Sequence, residues 1–526
     1  MPGRRPRTPL GRALHAALAG SEQPPTGAGR ADRRARAGFS RRDFLKIGAM
    51  GTAAMLLPAC VRTSQNDQAR VVIVGAGLAG LRCAQMLNDF GIDCTVYEAS
   101  DGPGGRVSTL RGFFDHGQIV ERGGELISSE HSVIRRLAAD FELELELADG
   151  EWLDQYEDVL WVDGSRYSIA DANEDWSGAY QSVKRALGNA PWPQTYDSNT
   201  EEGRRLDHIS VPEWIDSEIT GGMSGRLGKI MYTTVIAEYG GEASDMPALA
   251  LIYLLGWNSR DSLAPLAGTD EAFHIKGGND QLVNRLRDEL PSDTVQYDSP
   301  LESVRSLGDG RLQCTFRADT AAVDVVADHL VLALPFTALR DVDLDDAGLS
   351  DLKLKAIREI GMGTNSKLHV QFDTRPWVDT GKNGYVVTNP DSFQMTWDET
   401  AAQPGEGPVL DNFTGGDRSL RYPGPLSAQA PPDLVAELLG EIEPIFPGAT
   451  AQYNGKAWRD WWVASPWQRG SYVYWRLGQS TDFAGIEAER EGNIHFCGEH
   501  TSIEYGGYME GALRSGQRAA VEVRGG

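Results

Sequence analysis

The chain has 526 residues, of which 41% are hydrophobic and 24% charged, and its formal net charge is −25. These fractions are those of soluble globular proteins, so they exclude a disordered chain. No run of 18 apolar residues occurs, so the sequence predicts no ordinary membrane-spanning helix. Residues 1–60 carry eleven Lys or Arg and three acids, so the remainder is strongly acidic. Because phosphate contacts need clustered cations, this acidic remainder argues against nucleic-acid binding.

The first 60 residues have the features of an export leader. A twin arginine, Arg41 and Arg42, precedes a short apolar run at 47–59, a pattern typical of bacterial export signals. The string Ser-Arg-Arg-Asp-Phe-Leu-Lys closely resembles a twin-arginine translocation (Tat) signal, which implies the Tat machinery as a partner and a periplasmic or extracytoplasmic location. The Leu-Pro-Ala before Cys60 resembles a lipoprotein processing box, which implies a lipid tether at Cys60. An unmodified cysteine at an ordinary cleavage site is the alternative.

Residues 71–98 predict a unit that binds a dinucleotide. The continuous apolar run at 71–74 is expected of a parallel strand buried on both faces. A glycine turn and an amphipathic segment follow, and a second strand ends at Glu98, whose carboxylate would accept hydrogen bonds from a ribose diol. The GxGxxG spacing allows a tight turn, close approach of a pyrophosphate and packing of the helix on the strand. The turn residues assigned to the cofactor are Gly75, Gly77, Ala79 and Gly80.

Two further glycine segments point to the same cofactor. In the loop 101–109, Gly105 and Arg106 could approach a diphosphate or a flavin, and the guanidinium would offset phosphate charge. Near the carboxyl terminus, an apolar strand runs into Gly498 and Glu499 before a final helix. Both ends of the chain are therefore predicted to build one cofactor site.

This ordered series of segments resembles the flavin-containing amine oxidase family, which includes monoamine, polyamine and L-amino acid oxidases. The resemblance covers nearly all of residues 70–526 and implies FAD as the cofactor. It implies non-covalent binding, because Ser471 stands where covalent members carry a cysteine. It assigns further cofactor contacts to Gly123, Gly124, Val304, Glu499 and Met509.

The implied fold is α/β. A Rossmann-like FAD-binding domain would be built from residues 70–145, 270–335 and 456–526. An α+β substrate-binding domain would be built from residues 146–269 and 336–455.

The resemblance also implies the reactive positions. Lys367 would hold a water against flavin N5, Tyr472 and Tyr508 would form two aromatic walls over the flavin, and Trp462 would face it. By residue type alone, a strand lysine is usually solvent-facing and tyrosines usually fill cores. The implied reaction is oxidative deamination of a primary or secondary amine by O₂, giving an aldehyde, ammonia and hydrogen peroxide.

Three other functions share these motifs. An L-amino acid oxidase would need an arginine for the substrate carboxylate, but Leu126 and Ile127 occupy the region after Gly124 where it is expected. Glu125, if it faced the cavity, would repel a carboxylate. A desaturase or dehydrogenase would share the FAD segments without needing Lys367. The third alternative is a surface-tethered flavin-binding protein without turnover.

The cysteines outside the leader do not form a disulfide pattern. Each lies in an apolar helix or strand pattern, so free thiols are expected at Cys83, Cys94, Cys314 and Cys497. No cysteine or histidine spacing predicts a metal site.

Overall fold

The β-branched run Val71–Val74 forms the central strand of a parallel sheet in the computed structural model, and all four of its residues are buried. A parallel strand is covered on both faces, which explains the uninterrupted apolar run. The sheet draws its strands from the three chain segments predicted for the FAD-binding domain. Their spatial order is Ile494–Phe496, His329–Leu332, Val71–Val74, Cys94–Tyr97 and Val295–Gln296.

The two ends of the described chain pack against each other beside this sheet. The helix Leu78–Asp89 begins directly after the glycine turn, and the last helix, Met509–Gly525, lies against it. A Cβ at Gly516 would lie 2.2 Å from the carbonyl oxygen of Ala79, so only glycine permits this approach. Residues more than 400 positions apart thereby become neighbours at the cofactor turn.

The structure describes residues 69–150, 152–263, 270–318 and 321–525, and these residues belong to one compact unit. No helix among them is long and apolar enough to cross a membrane. The export leader, including the twin arginine and Cys60, lies outside the described residues. The four cysteines of the described part are free, as predicted, and only Cys94 is not fully buried.

A second and larger sheet contains both parallel and antiparallel strand pairs. The strand Ser366–Phe372 is buried at every residue although it carries Lys367 and His369. Neighbouring strands are antiparallel except for one parallel pair, Glu157–Val162 with Lys382–Thr388. The spatial order is Ser427–Gln429, Tyr453–Trp461, Ser366–Phe372, Val409–Thr414, Met395–Asp398, Lys382–Thr388, Glu157–Val162 and Ser165–Tyr167.

Helices contributed by the segment 146–269 pack against this sheet around a shared hydrophobic core. The best-capped of them begins at Ser210, whose hydroxyl accepts the backbone N–H of Glu213 while the Glu213 carboxylate accepts that of Ser210. These helices are Ile169–Asn189, Glu201–Asp207, Val211–Glu218, Arg226–Tyr239 and Ala248–Leu255.

The remaining elements are shorter. The other α-helices are Ser132–Asp140, Asp280–Asp288, Phe336–Leu339, Asp351–Glu359, Pro376–Asp379, Gly416–Leu420, Pro432–Ile442, Ala449–Gln452 and Gln479–Asp482. A three-stranded antiparallel sheet contains Leu301–Ser306, Leu312–Ala318 and Ala321–Ala327. Two-stranded pairs join Thr109–Leu110 to Val120–Glu121, Leu145–Leu147 to Phe273–Ile275, and Gly361–Met362 to Val473–Tyr474.

Candidate active site

A cavity of about 920 Å³ lies between the parallel sheet and the large mixed sheet. This volume is at the upper end of the range for sites that hold a cofactor or ligand. The cavity brings together most of the residues predicted from the sequence: Gly75, Gly77, Ala79, Glu98, Gly105, Arg106, Gly123, Gly124, Lys367, Trp462, Tyr472, Gly498, Glu499, Tyr508 and Met509.

Two predicted cofactor residues do not line the cavity. Gly80 instead supports the turn, because a Cβ there would lie 2.0 Å from the carbonyl oxygen of Gly75. Val304 is fully buried, and its backbone N–H donates to the carbonyl of Asp343. The residues of this strand that line the cavity are Leu301 and Glu302, so the cofactor contact assigned to Val304 stays a prediction.

Several glycines line the cavity, and the lack of a side chain at these positions is what close approach of a flat cofactor requires. Gly75 has φ +104°, and a Cβ there would lie 2.8 Å from the carbonyl oxygen of Ala333. At Gly123 a Cβ would lie 2.0 Å from the carbonyl oxygen of Arg106. Side chains are therefore excluded where the predicted pyrophosphate and flavin contacts lie, and these residues fit FAD.

The carboxylate of Glu98 is held at the edge of this wall. Its Oε2 accepts the backbone N–H of Ala76 at 2.7 Å, and its Oε1 accepts both the N–H and the hydroxyl of Ser100. A carboxylate offers about four acceptor positions. Glu98 is therefore fixed in orientation and keeps capacity for a ribose hydroxyl.

Arg106 and Glu499 join the two ends of the chain at the cavity. Nη1 of Arg106 lies 2.7 Å from Oε1 of Glu499 and also donates to the carbonyl of Ser471. Oε2 of Glu499 accepts the backbone N–H of Gly507. The arginine predicted to offset phosphate charge is thus oriented by an internal acid.

Lys367 is buried within a group of carboxylates. Its Nζ lies 2.5 Å from Oε2 of Glu125, 3.4 Å from Oδ2 of Asp411 and 3.5 Å from Oε2 of Glu399, and it donates to the carbonyl of Glu121. Burial lowers the pKa of Lys367, but the three carboxylates outweigh burial and hold the pKa well above its usual value. Lys367 therefore stays protonated at the cavity wall.

Sequence reasoning did not predict that Glu399 and Asp411 lie beside Lys367. Burial raises the pKa of Asp411 to about 7 and that of Glu121 to about 8, and it raises the pKa of Glu399 well above its ordinary value. Glu125 does line the cavity, but its charge is balanced by Lys367 and its Oε1 accepts the indole N–H of Trp397. The expectation that Glu125 repels a substrate carboxylate is therefore not supported by its contacts.

The two predicted tyrosines share the cavity with two further acids that sequence reasoning missed. The Tyr508 hydroxyl lies 3.1 Å from Oε1 of Glu271 and 3.4 Å from Oε1 of Glu238. The Tyr472 hydroxyl donates to the carbonyl of Ala237. Burial, together with the carboxylates of Glu238 and Glu271, raises the pKa of Tyr472 well above its usual value, so Tyr472 remains a neutral phenol.

Trp462 is held against the glycine wall. Its indole N–H donates to the carbonyl of Arg122 at 2.9 Å, and a Cβ at Gly123 would lie 3.0 Å from its ring. The tryptophan and the two tyrosines thus give the cavity aromatic surface. Such a surface excludes water and favours the neutral form of an amine.

Known proteins resemble this chain over most of its length. Pig amine oxidase [flavin-containing] A is 24% identical over 473 residues, spanning 86% of this chain and 84% of the relative. L-amino-acid oxidase of Siganus canaliculatus is 25% identical over 503 residues, spanning 89% of this chain and 90% of the relative. The solved structure of cyclohexylamine oxidase from Brevibacterium oxydans IH-35A superposes with a TM-score of 0.73 at 21% identity, covering 87% of this chain and 98% of that one.

Two family models match the sequence. Residues 38–58 match the twin-arginine translocation pathway signal, so the chain carries a signal for Tat export to the extracytoplasmic side. Residues 78–524 match the flavin-containing amine oxidoreductase model, a span that includes Lys367 and both tyrosines. The chain therefore belongs to the flavin-containing amine oxidoreductase family, whose members use FAD to oxidise CH–NH₂ donors.

Proposed function

We propose that this protein oxidises primary or secondary amines that carry no carboxylate, in preference to amino acids. A primary amine would yield an imine, which water hydrolyses to an aldehyde and ammonia, while oxygen is reduced to hydrogen peroxide. FAD, when bound, takes up the hydride equivalent from the carbon beside nitrogen. The observation that carries the proposal is the pair of acids, Glu238 and Glu271, at the Tyr508 hydroxyl.

Two carboxylates at one end of the aromatic surface favour a cation and disfavour an anion. Glu271 is 2% exposed and Glu238 is half-buried, so solvent screens their field only weakly. An alkylammonium arriving from solution is attracted, whereas the carboxylate of an amino acid is repelled. Because an alkylamine has a pKa near 10, it arrives protonated and must lose a proton before oxidation. Glu271 or Glu238 would accept that proton.

The arginines of the cavity do not offset this bias. Within the described part of the chain, each arginine that lines the cavity is ion-paired with an acid: Arg106 with Glu499, Arg122 with Asp460, Arg317 with Glu302 and Arg469 with Asp341. A buried carboxylate without a partner cation is strongly disfavoured. An amino-acid substrate would have to break one of these pairs.

A peroxide assay of matched pairs tests the proposal. Phenethylamine should outperform phenylalanine, and tyramine should outperform tyrosine, in kcat/KM. In Glu271→Gln and Glu238→Gln the preference should shrink, whereas Glu218→Gln, which removes an exposed carboxylate paired with Arg185, should keep it. A preference for the amino acid in both pairs of the wild-type protein would contradict the proposal.

We also propose that the mature protein is tethered by a lipid on Cys60. The proposal is supported by the order of the signal: the matched twin-arginine segment ends at residue 58, two positions before this cysteine. Mass spectrometry of the exported protein should find a lipidated cysteine as the first residue. An unmodified amino terminus downstream of Cys60 would rule out the tether while leaving export intact.

A further inference from the structure

Behind Lys367, the large mixed sheet brings three metal-ligand side chains together on one face. Lys367 and His369 are two positions apart on the strand Ser366–Phe372, so they point to the same face. The register places Asp411 of the next strand directly opposite His369, and Glu399 follows the strand beyond it. Directly paired residues of antiparallel strands share a face, so the strand pairing brings these side chains together.

The spacing of the three groups is that of a coordination site. Nδ1 of His369 lies 3.4 Å from Oδ1 of Asp411 and 3.9 Å from Oε2 of Glu399. One ligand atom from each residue lies within 4.8 Å of the other two. Metal–ligand bonds of about 2.1 Å in tetrahedral geometry separate ligand atoms by roughly 3.4 Å. The histidine and Asp411 already have this separation.

Two members of this group lack the hydrogen bonds that burial demands. His369 and Asp411 are both 0% exposed. Among the described residues, neither ring nitrogen of His369 has a hydrogen-bond partner, nor does Oδ1 of Asp411, while Oδ2 of Asp411 has only the ion pair with Lys367 at 3.4 Å. Glu399 is the satisfied member, since its Oε1 accepts the backbone N–H of Glu121. Buried polar side chains are almost always satisfied, so the arrangement indicates a ligand between them.

Charge points to a cation as that ligand. Lys367 contributes one positive charge against the carboxylates of Glu125, Glu399 and Asp411, and its shortest contact is with Glu125. Metal ligation requires deprotonated carboxylates, and Glu399 and Asp411 would then carry two negative charges that a divalent cation balances. Buried charges in proteins are paired or coordinate metals.

The surroundings of His369 suit a metal-bound imidazole. Its second ring nitrogen, Nε2, faces Oδ2 of Asp460 at 3.7 Å, and that oxygen is itself buried without a hydrogen-bond partner in the part of the chain that the structure describes. A ligating histidine usually directs its other N–H to a carboxylate, which fixes the tautomer with Nδ1 free for the metal. Asp460 is in turn held by Arg122, whose Nε lies 2.8 Å from its Oδ1.

We propose that His369, Glu399 and Asp411 bind one divalent transition-metal ion, of the Zn²⁺ class, beside the active-site lysine. One imidazole and two carboxylates form a mixed nitrogen and oxygen set that suits Zn²⁺ rather than a purely oxygen-seeking ion. Oδ2 of Asp411 faces Lys367 while its Oδ1 faces His369, so this carboxylate would link the metal to the lysine. The ion would have a structural role, fixing the acids that orient Lys367.

Metal analysis of the flavin-loaded full chain, purified without a histidine tag, tests the site. After incubation with Zn²⁺ and removal of free ion, the wild-type protein should hold one zinc per chain. His369→Asn and Asp411→Asn should lose it. His500→Asn should keep it, because His500 is not part of the group. His500 is a matched control, since it too is buried and neither of its ring nitrogens has a hydrogen-bond partner among the described residues.

A second measurement covers the case in which the variants do not fold. Zinc X-ray absorption of the wild-type protein should show a nitrogen and oxygen shell with a single imidazole and no sulfur. A zinc content far below one per chain in flavin-loaded wild-type protein would overturn the proposal and leave protons to balance the carboxylates. Full zinc retention in folded His369→Asn, or a sulfur shell, would overturn it equally.

Discussion

Nζ of Lys367 lies 2.5 Å from Oε2 of Glu125, a residue 242 positions earlier in the chain. The indole N–H of Trp397 donates to the other carboxylate oxygen of Glu125 at 3.1 Å. A buried cation is thereby held at the cavity wall by an acid whose own position is fixed. The arrangement determines where positive charge can act on whatever the cavity binds, and it leads to the first prediction.

Lys367→Met should slow flavin reduction by the amine, flavin re-oxidation by oxygen, or both. Loss of one preorganised charged group that stabilises developing negative charge typically costs roughly 10²–10³ in rate. FAD binding should persist, since the glycine wall and Glu98 are unchanged. Stopped-flow absorbance of the two half-reactions measures the effect.

A matched control distinguishes the loss of rate in Lys367→Met from the loss of stability caused by leaving Glu125 without its cation. Lys367→Met leaves Glu125 buried without its cation, which on its own is destabilising by about 3–5 kcal/mol. Lys367→Met combined with Glu125→Gln removes that charge and should recover stability without recovering rate. If the rates of both half-reactions are unchanged in Lys367→Met, Lys367 has only a structural role.

Tyr508→Ala should lower kcat/KM for amines by about 10- to 100-fold, because burying an aromatic side chain is worth roughly 1.5–3 kcal/mol. The flavin spectrum should remain largely intact. Tyr508→Phe removes only the hydroxyl that contacts Glu271, so it should retain most of the activity lost in the alanine variant. Equal losses in both variants would assign the effect to the hydroxyl rather than to the ring.

The flavin should be released intact by acid precipitation. Ser471 cannot form a thioether, and its hydroxyl donates to Oδ1 of Asn365 at 2.6 Å. The residues that line the cavity in the described part of the chain include no cysteine. The supernatant should therefore be yellow and the pellet colourless. A yellow pellet would show a covalent bond through some other residue.

Replacing both Arg41 and Arg42 with lysine should retain the precursor in the cytoplasm. The twin arginine lies within the matched Tat signal, and the translocation machinery reads that pair rather than the charge alone. Fractionation followed by immunoblotting measures the distribution. Lysine at Arg33 and Arg34, another arginine pair of the leader that precedes the matched segment, should leave export unchanged.

Gly80→Ala should destabilise the fold by about 1–3 kcal/mol or more, because its Cβ would meet the carbonyl oxygen of Gly75 at 2.0 Å and backbone cannot move aside as a side chain can. FAD content should fall with it. Gly440→Ala is the control. Gly440 lies in a helix, and no atom of the described residues lies near its added Cβ. The free energy of unfolding should therefore rise by up to about 1 kcal/mol. Thermal unfolding with and without added FAD measures both.

Local sequence was sufficient for the dinucleotide turn. The prediction of a strand at 71–74, then a helix, then a second strand is confirmed as Val71–Val74, Leu78–Asp89 and Cys94–Tyr97. Apolar runs, helical periodicity and glycine spacing act over a few residues, so they can be read without knowing the fold. The ordered motif series likewise identified the family and its cofactor.

Tertiary structure alone decided which acids surround the reactive positions. Glu238 and Glu271 reach Tyr508 from segments more than 230 residues away, and Glu399 and Asp411 reach Lys367 by pairing of strands. A carboxylate in a helix or loop looks like an ordinary surface charge until another segment buries it. The sequence therefore determined the cofactor fold, whereas the electrostatics of the substrate cavity and the buried His369 group depended on contacts between distant segments, which carry no local signal.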